Sequence, residues 1–295
     1  MNFFAGLEKF GFSGKEDLDI TKDERKVART AGDEKKAVVE LEEKDLILEK
    51  TMECPVCHRN FVTKQVKTGK AKRLEPDFDL RPNYKGIDTL KYDVTACPYC
   101  GYSALNRYFE HLSPTQIKLV REQVGAKYKP VKQPDTETYS YEQAIDRFKL
   151  ALISSMAKRA KLSEKSYICL KTAWLLRAQL KDFPAETEEQ KQKKKEKQQE
   201  FVGFYQQAYE GFIKATSQEM PPYCGMDSAT VEFMLANMSM SMKRYDIASK
   251  LVGNLLTSAG TPARIKDKCH DLKEQILVEM KKQKEAAAQE ATQKK

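Results

Sequence analysis

Nowhere in these 295 residues does an apolar run approach the roughly 18 residues that a membrane-crossing helix needs, which excludes a helical span. The opening Met1-Asn2-Phe3-Phe4-Ala5-Gly6-Leu7-Glu8-Lys9 reaches an acid before any long apolar run forms and lacks a basic leader with a small-residue cleavage site, so the expected location is the cytoplasm. No Gly-rich phosphate loop and no nucleophile, base and oxyanion-donor set is visible, so nothing calls for an enzyme. Histidine is scarce, with three in the chain. His111 and His270 stand isolated and read as structural or solvent-facing, while His58 adjoins Cys57 and is either an exposed neighbour or a substitute ligand. The seven cysteines are odd in number and carry no export signal with them, so reduced thiols are expected, and paired cysteines read as metal ligands rather than disulfides.

What the chain does have is charge, 32% of residues, with a net of +9. The net is −3 over residues 1–50, +3 over 51–112 and +9 over 113–295. The basic excess therefore does not gather beside the cysteines, which weakens the case for a nucleic-acid groove on a metal module. Residues 1–37 are rich in Lys, Asp, Glu and Gly and read as a mobile arm with an apolar tip at Phe3, Phe4, Leu7 and Phe10. That tip docks on the protein, docks on a partner, or stays disordered.

Two knuckles dominate the next stretch, Cys54-Pro55-Val56-Cys57 and Cys97-Pro98-Tyr99-Cys100-Gly101. Two thiolates two residues apart on a tight turn grip one ion, and two such turns complete a tetrahedron. The prolines fix the entry to each turn, and Gly101 can take the left-handed conformation that leaves it. Cys54, Cys57, Cys97 and Cys100 are thus expected to hold one structural zinc with no position open to substrate. Iron uses the same four-thiolate set, and a thioredoxin-like redox pair would need flanking context that is missing here. Apolar runs at 46–48 and 61–66 suggest two strands about the first knuckle, and 90–96 suggests a third leading into the second. The loop between carries Arg73, Asp77, Asp79, Arg81, Tyr84 and Asp88, which either frame it internally or bind an anionic ligand or peptide terminus through Arg81 and Tyr84. Asp77 or Asp79 would be the carboxylate of a catalytic site if one existed there.

Beyond His111 the pattern turns helical. Ser113-Pro114-Thr115-Gln116 and Ser140-Tyr141-Glu142-Gln143 are helix starts, and Pro130 and Pro134 mark a linker between them. Further helices are expected over about 164–180, 198–216, 228–242, 246–258 and from Pro262 into the tail. Three of them repeat a small-large-small spacing: Ala144, Phe148, Ala151; then Ala208, Phe212, Ala215; then Ala248, Val252, Leu255. Such spacing lets one helix nestle on its predecessor, as in tetratricopeptide repeats, with Trp174 on the helix before the second unit. The intervals of 64 and 40 residues depart from the roughly 34 of the standard repeat. An insertion over 182–199 explains the longer one, and a generic helical bundle is the other reading. Its lysines, 191–197, face nearby acids and read as a solvated helix extension, with nucleic-acid contact as the alternative. Cys169, Cys224 and Cys269 lack partners and read as buried small hydrophobes.

Arg73, Asp77, Asp79, Arg81, Tyr84, Gly86, Tyr92-Asp93 and the knuckle Cys97 to Tyr102, with Cys54-Pro55-Val56-Cys57 ahead of them, resemble the bacterial domain-of-unknown-function family numbered 2225. The likeness is close over about 50–112 and looser to about Met280. It implies a zinc-ribbon-like part followed by a tetratricopeptide-like part in a bacterial cytoplasmic protein, and it implies no reaction. The fold expected is α+β and mostly α: an arm (1–37), a zinc-ribbon-like module (38–112), a tetratricopeptide-like helical domain (113–280) and a charged helical or disordered tail (281–295). The function expected is a non-enzymatic adaptor that binds protein partners, with nucleic-acid binding through the ribbon as the alternative.

Overall fold

The computed structural model describes residues 41–131 and 136–293. The N-terminal arm and its apolar tip lie outside the described residues, as does part of the 129–134 linker.

The chain is α+β and mostly α. Strands β1 (Ile47–Glu53) and β2 (Asn60–Val66) pair antiparallel from Ile47 opposite Val66 to Glu53 opposite Asn60. Their turn is the first cysteine knuckle. The third strand is shorter than the sequence suggests. Asp88 accepts a hydrogen bond from the Leu90 N–H, which winds Thr89–Tyr92 into a 3-10 turn, and β3 covers Val94–Ala96 alone. A fourth strand that the sequence did not announce, β4 (Ser103–Leu105), pairs back on β3. The second knuckle is the turn between them, so both knuckles sit at hairpin tips.

Seven α-helices follow among the described residues. The two expected capping boxes form: the Ser113 and Ser140 side chains accept from the Gln116 and Gln143 N–H groups, and each glutamine reaches back. They open α1 (Pro114–Val120), which runs on into a π turn over Arg121–Gly125, and α2 (Tyr141–Ala157). Next come α3 (Leu162–Lys181), α4 (Glu188–Gln218), α5 (Ser228–Ser241), α6 (Tyr245–Thr257) and α7 (Ala263–Gln293). Helix α4 starts ten residues before the expected 198, because Thr187 and Gln190 form another capping box. The lysine run is therefore its first three turns.

Each small-large-small triad is buried. In α3 and α4 the approach is closest where Gly211 faces Ser166: a Cβ built on Gly211 would lie 2.1 Å from the Ser166 hydroxyl. The Glu219 carboxylate, just past the end of α4, accepts from the Leu162 and Ser163 N–H groups at the start of α3. The end of one helix thereby caps the beginning of the other, where the positive end of the helix dipole favours an anion.

Apolar cores cross the junction between ribbon and helices. Met52, Val56, Phe61, Tyr102 and Phe109 of the ribbon share one with Val120 of α1, with Val124 of the π turn after it and with Ala157 at the end of α2. Leu90, Val94 and Leu105 join a second, built around Phe148, Trp174 and Phe212. A third is formed by α5, α6 and α7 around Phe233, Leu255 and Leu272.

Candidate metal centre

Within each knuckle the backbone folds back on itself in the same way. The His58 N–H donates to the Cys54 carbonyl at 2.9 Å, and the Gly101 N–H to the Cys97 carbonyl at 3.1 Å. The strand ends close behind them, Cys54 N–H on the Arg59 carbonyl and Cys97 N–H on the Tyr102 carbonyl. This winding turns peptide N–H groups inward: those of Val56 and Cys57 point at the Cys54 sulfur, and those of Tyr99 and Cys100 at the Cys97 sulfur.

The residue leaving each knuckle is left-handed, His58 with φ 58° and Gly101 with φ 73°. At Gly101 a side chain is excluded twice over, because a Cβ would also lie 2.4 Å from the Tyr128 ring. At His58 nothing requires the imidazole. It is exposed and its Nδ1 lies 3.2 Å from Glu53 Oε1, so it points away from the thiols. His58→Gly is expected to leave metal stoichiometry unchanged and to raise stability by about 1 kcal/mol through relief of the left-handed backbone. Metal content by native mass spectrometry and a urea melt check both halves, and loss of the ion would make His58 a ligand after all.

The four sulfurs lie within 4.8 Å of one another. Across the two knuckles Cys54 Sγ is 3.6 Å from Cys100 Sγ, and Cys57 Sγ is 3.7 Å from Cys97 Sγ. A disulfide needs about 2.05 Å. A tetrahedron with metal–sulfur bonds of about 2.3 Å has edges of about 3.8 Å, so the donor set fits a four-thiolate ion and could hold one. Hydrogen bonds from Cys100 and Cys54 draw the Cys97 thiol down, while Cys100 is pushed up by sharing protons with Cys54 and Cys97 and by burial. Four such thiols ionise together only around a cation.

Cys169, Cys224 and Cys269 are buried, apart from this cluster. Their thiols are pushed up by burial. His111 and His270 are exposed.

The loop between the knuckles is tied down by its own charges and by α3. Arg81 donates to Asn83 and, at 2.6 Å, to Asp88, while Asp77 accepts from Asn83 and from Arg177. Asp79 takes the Trp174 indole N–H at 2.8 Å and the Arg177 guanidinium at 2.6 and 3.1 Å. Those carboxylates hold Arg177 above its ordinary pKa although burial works the other way. Phe78 packs edge-on against Phe233 of α5 at 6.1 Å. Asp93 pairs with Lys171, a buried lysine kept charged against burial by Asp93 and Tyr167. Tyr84 lines a polar cavity of about 450 Å³ with Tyr92, Asp93, Asn106 and Lys171. Sequence reasoning missed Lys171 and Arg177. The signal available was a cation inside the apolar stretch of α3, since a buried charge needs a partner.

This molecule therefore joins a paired-knuckle four-cysteine ribbon to a mostly helical body. The family model described as "uncharacterized protein conserved in bacteria (DUF2225)" matches residues 47–276. That match takes in both hairpins and the helices through most of the third core, and the chain belongs to this family. No curated protein and no solved structure matches it. No helix among the described residues is long and apolar enough to cross a membrane.

Proposed function

We propose that this chain is a non-enzymatic adaptor, in which one zinc ion holds the ribbon and the helices, stacked in tetratricopeptide-like fashion, bind a protein partner. The observation that carries this reading is a groove of about 650 Å³ along α2, α3 and α4. Leu152, Met156, Leu162 and Phe204 give it apolar walls, and Glu200, Lys165 and Lys214 line it as well. Met156 is 62% exposed and Ile153, one turn before it on α2, is 52% exposed. Exposed apolar side chains beside a groove mark interaction surfaces, and stacked helices offer extended ones.

Two arrangements support a structural rather than a chemical role. Four thiolates around zinc leave no coordination position for water or substrate. Asp77 and Asp79, the carboxylates best placed by sequence for chemistry, are engaged by Arg177 and Trp174. The zinc half of the reading is checked by native mass spectrometry, which should find one zinc per chain, and by a colourless solution, since a four-thiolate iron site absorbs visible light.

For the partner half, zinc-loaded full chain serves as bait in a bacterial lysate under conditions that keep weak complexes. A protein enriched by the native chain is expected to be lost with Met156→Glu while the helical circular dichroism stays unchanged. Identical capture by both baits, or none by either, would remove the reading.

A further inference from the structure

A second groove, of about 560 Å³, opens where the C-terminal half of α3, the middle of α4 and the turn from α5 into α6 meet. Phe201 and Tyr205 form its floor, with ring centroids 5.6 Å apart, and Val202 and Met242 extend the apolar wall. Two guanidiniums reach it, and they are in different states. Arg177 is clamped by Asp77 and Asp79, so its charge is matched and its side chain is held in place. Arg244, in the α5–α6 turn, lies over the Tyr209 ring with its guanidinium carbon 5.3 Å from the centroid. Among the described residues no carboxylate comes within ion-pair distance of it. Stacking orders this guanidinium while its planar fork of N–H donors stays available, and that fork matches a carboxylate in bidentate fashion.

One lysine of the run at the start of α4 lies on the helix face that carries Val202. With 3.6 residues per turn, Lys195, Gln198 and Val202 fall on one face. Lys195 then stands about 10 Å along the axis from Val202. Lys191 is matched by Glu188 at 2.6 Å, and Lys194 and Lys197 turn toward Phe183. Lys195 has no carboxylate within ion-pair distance among the described residues. Two unmatched cations thus flank one apolar patch.

We propose that this groove docks an acidic segment of a partner protein, with one carboxylate on Arg244, an apolar side chain on Phe201 and Val202, and a second carboxylate toward Lys195. The inference rests on the adaptor reading and names the chemistry of what is bound. Charge complementarity selects this occupant. Nucleic acid fits less well, because its evenly spaced phosphates would meet Asp77 and Asp79 beside Arg177, whereas a peptide places its charges at the two ends of the patch.

The test is fluorescence anisotropy on the zinc-loaded full chain. The probes are a labelled nonapeptide with Glu and Asp flanking a Leu-Phe centre, the same peptide with Gln and Asn in place of the acids, and a single-stranded oligonucleotide of equal length. The acidic peptide is expected to bind at least about tenfold more tightly than its amide counterpart and to lose about tenfold with Arg244→Glu. Lys195→Glu should give a smaller loss, and Lys282→Glu, a charge change on α7 beside Glu279, should give none. Equal binding of acidic and amide peptides, or indifference to Arg244→Glu, would overturn the proposal. So would tighter binding of the oligonucleotide with a steep fall in salt, which would assign the groove to nucleic acid. Lysate capture that depends on Met156 while the acidic peptide fails to bind would remove this groove's role and leave the adaptor reading standing.

Discussion

Cys97→Ser is expected to abolish metal binding and to unfold both hairpins together. A four-ligand structural zinc contributes about 10–16 kcal/mol in small modules, as much as the about 5–15 kcal/mol by which a whole domain is stable. Loss should spread beyond the ribbon, because Val120, Val124 and Ala157 share an apolar core with Cys54, Cys97 and Phe61. Helix α1 and the last turn of α2 therefore lose their packing with the hairpins. Helices α5, α6 and α7 surround a separate core and should persist. Hydrogen exchange on the variant reads this directly: fast exchange is expected over 47–66, 94–105 and 114–125, with protection kept over 228–276. Native protection in the hairpins of a metal-free variant would show that the cysteines do not hold the module.

Asp79→Ala is expected to destabilise the protein by about 2–4 kcal/mol. Asp79 is the acceptor for the Trp174 indole and for two N–H groups of Arg177. Without it the indole, buried at 1% exposure, loses its partner. Arg177 keeps Asp77 and about a third of its surface in water, so the cost stays below that of stripping a fully buried pair. Trp174 is the chain's one tryptophan, so a urea titration followed by its fluorescence reports on the site that has changed. A shift below about 0.5 kcal/mol, the range of ordinary surface substitutions, would mean that the loop rests on α3 without being held there.

Local features could be read from the sequence because their causes are local. The Cys-Pro-x-Cys turns, the serine-glutamine capping boxes and the alanine triads all act within a few residues, and all are found where the pattern placed them. The box at Thr187 and Gln190 obeys the same rule as the one at Ser113. A run of lysines follows it, so the stretch reads from the sequence as a solvated helix extension, and its polar composition hides where a helix begins that carries no apolar face until Phe201. Residues 90–92 illustrate the opposite case. Their apolar content suits a strand, yet the Asp88 side chain supplies a cap that winds them. The partners of Asp79 lie 95 and 98 residues away, and no spacing rule reaches so far. The same distance hid the second groove, whose parts come from α3, α4 and the α5–α6 turn.

The two knuckles lie at the ends of one stretch of chain, and Asp77 and Asp79 are midway along it. An ion shared by Cys54, Cys57, Cys97 and Cys100 would convert that stretch into a closed ring. Ring closure restricts how far Asp79 can wander from Arg177, which is the same as raising its effective concentration there. Opening the ring would dilute the carboxylates at Arg177, in addition to the packing that the hairpins lose. Such an ion would bear on the groove beside Arg177 from a distance, and a chain stripped of metal is expected to present that groove with its second guanidinium more often unmatched.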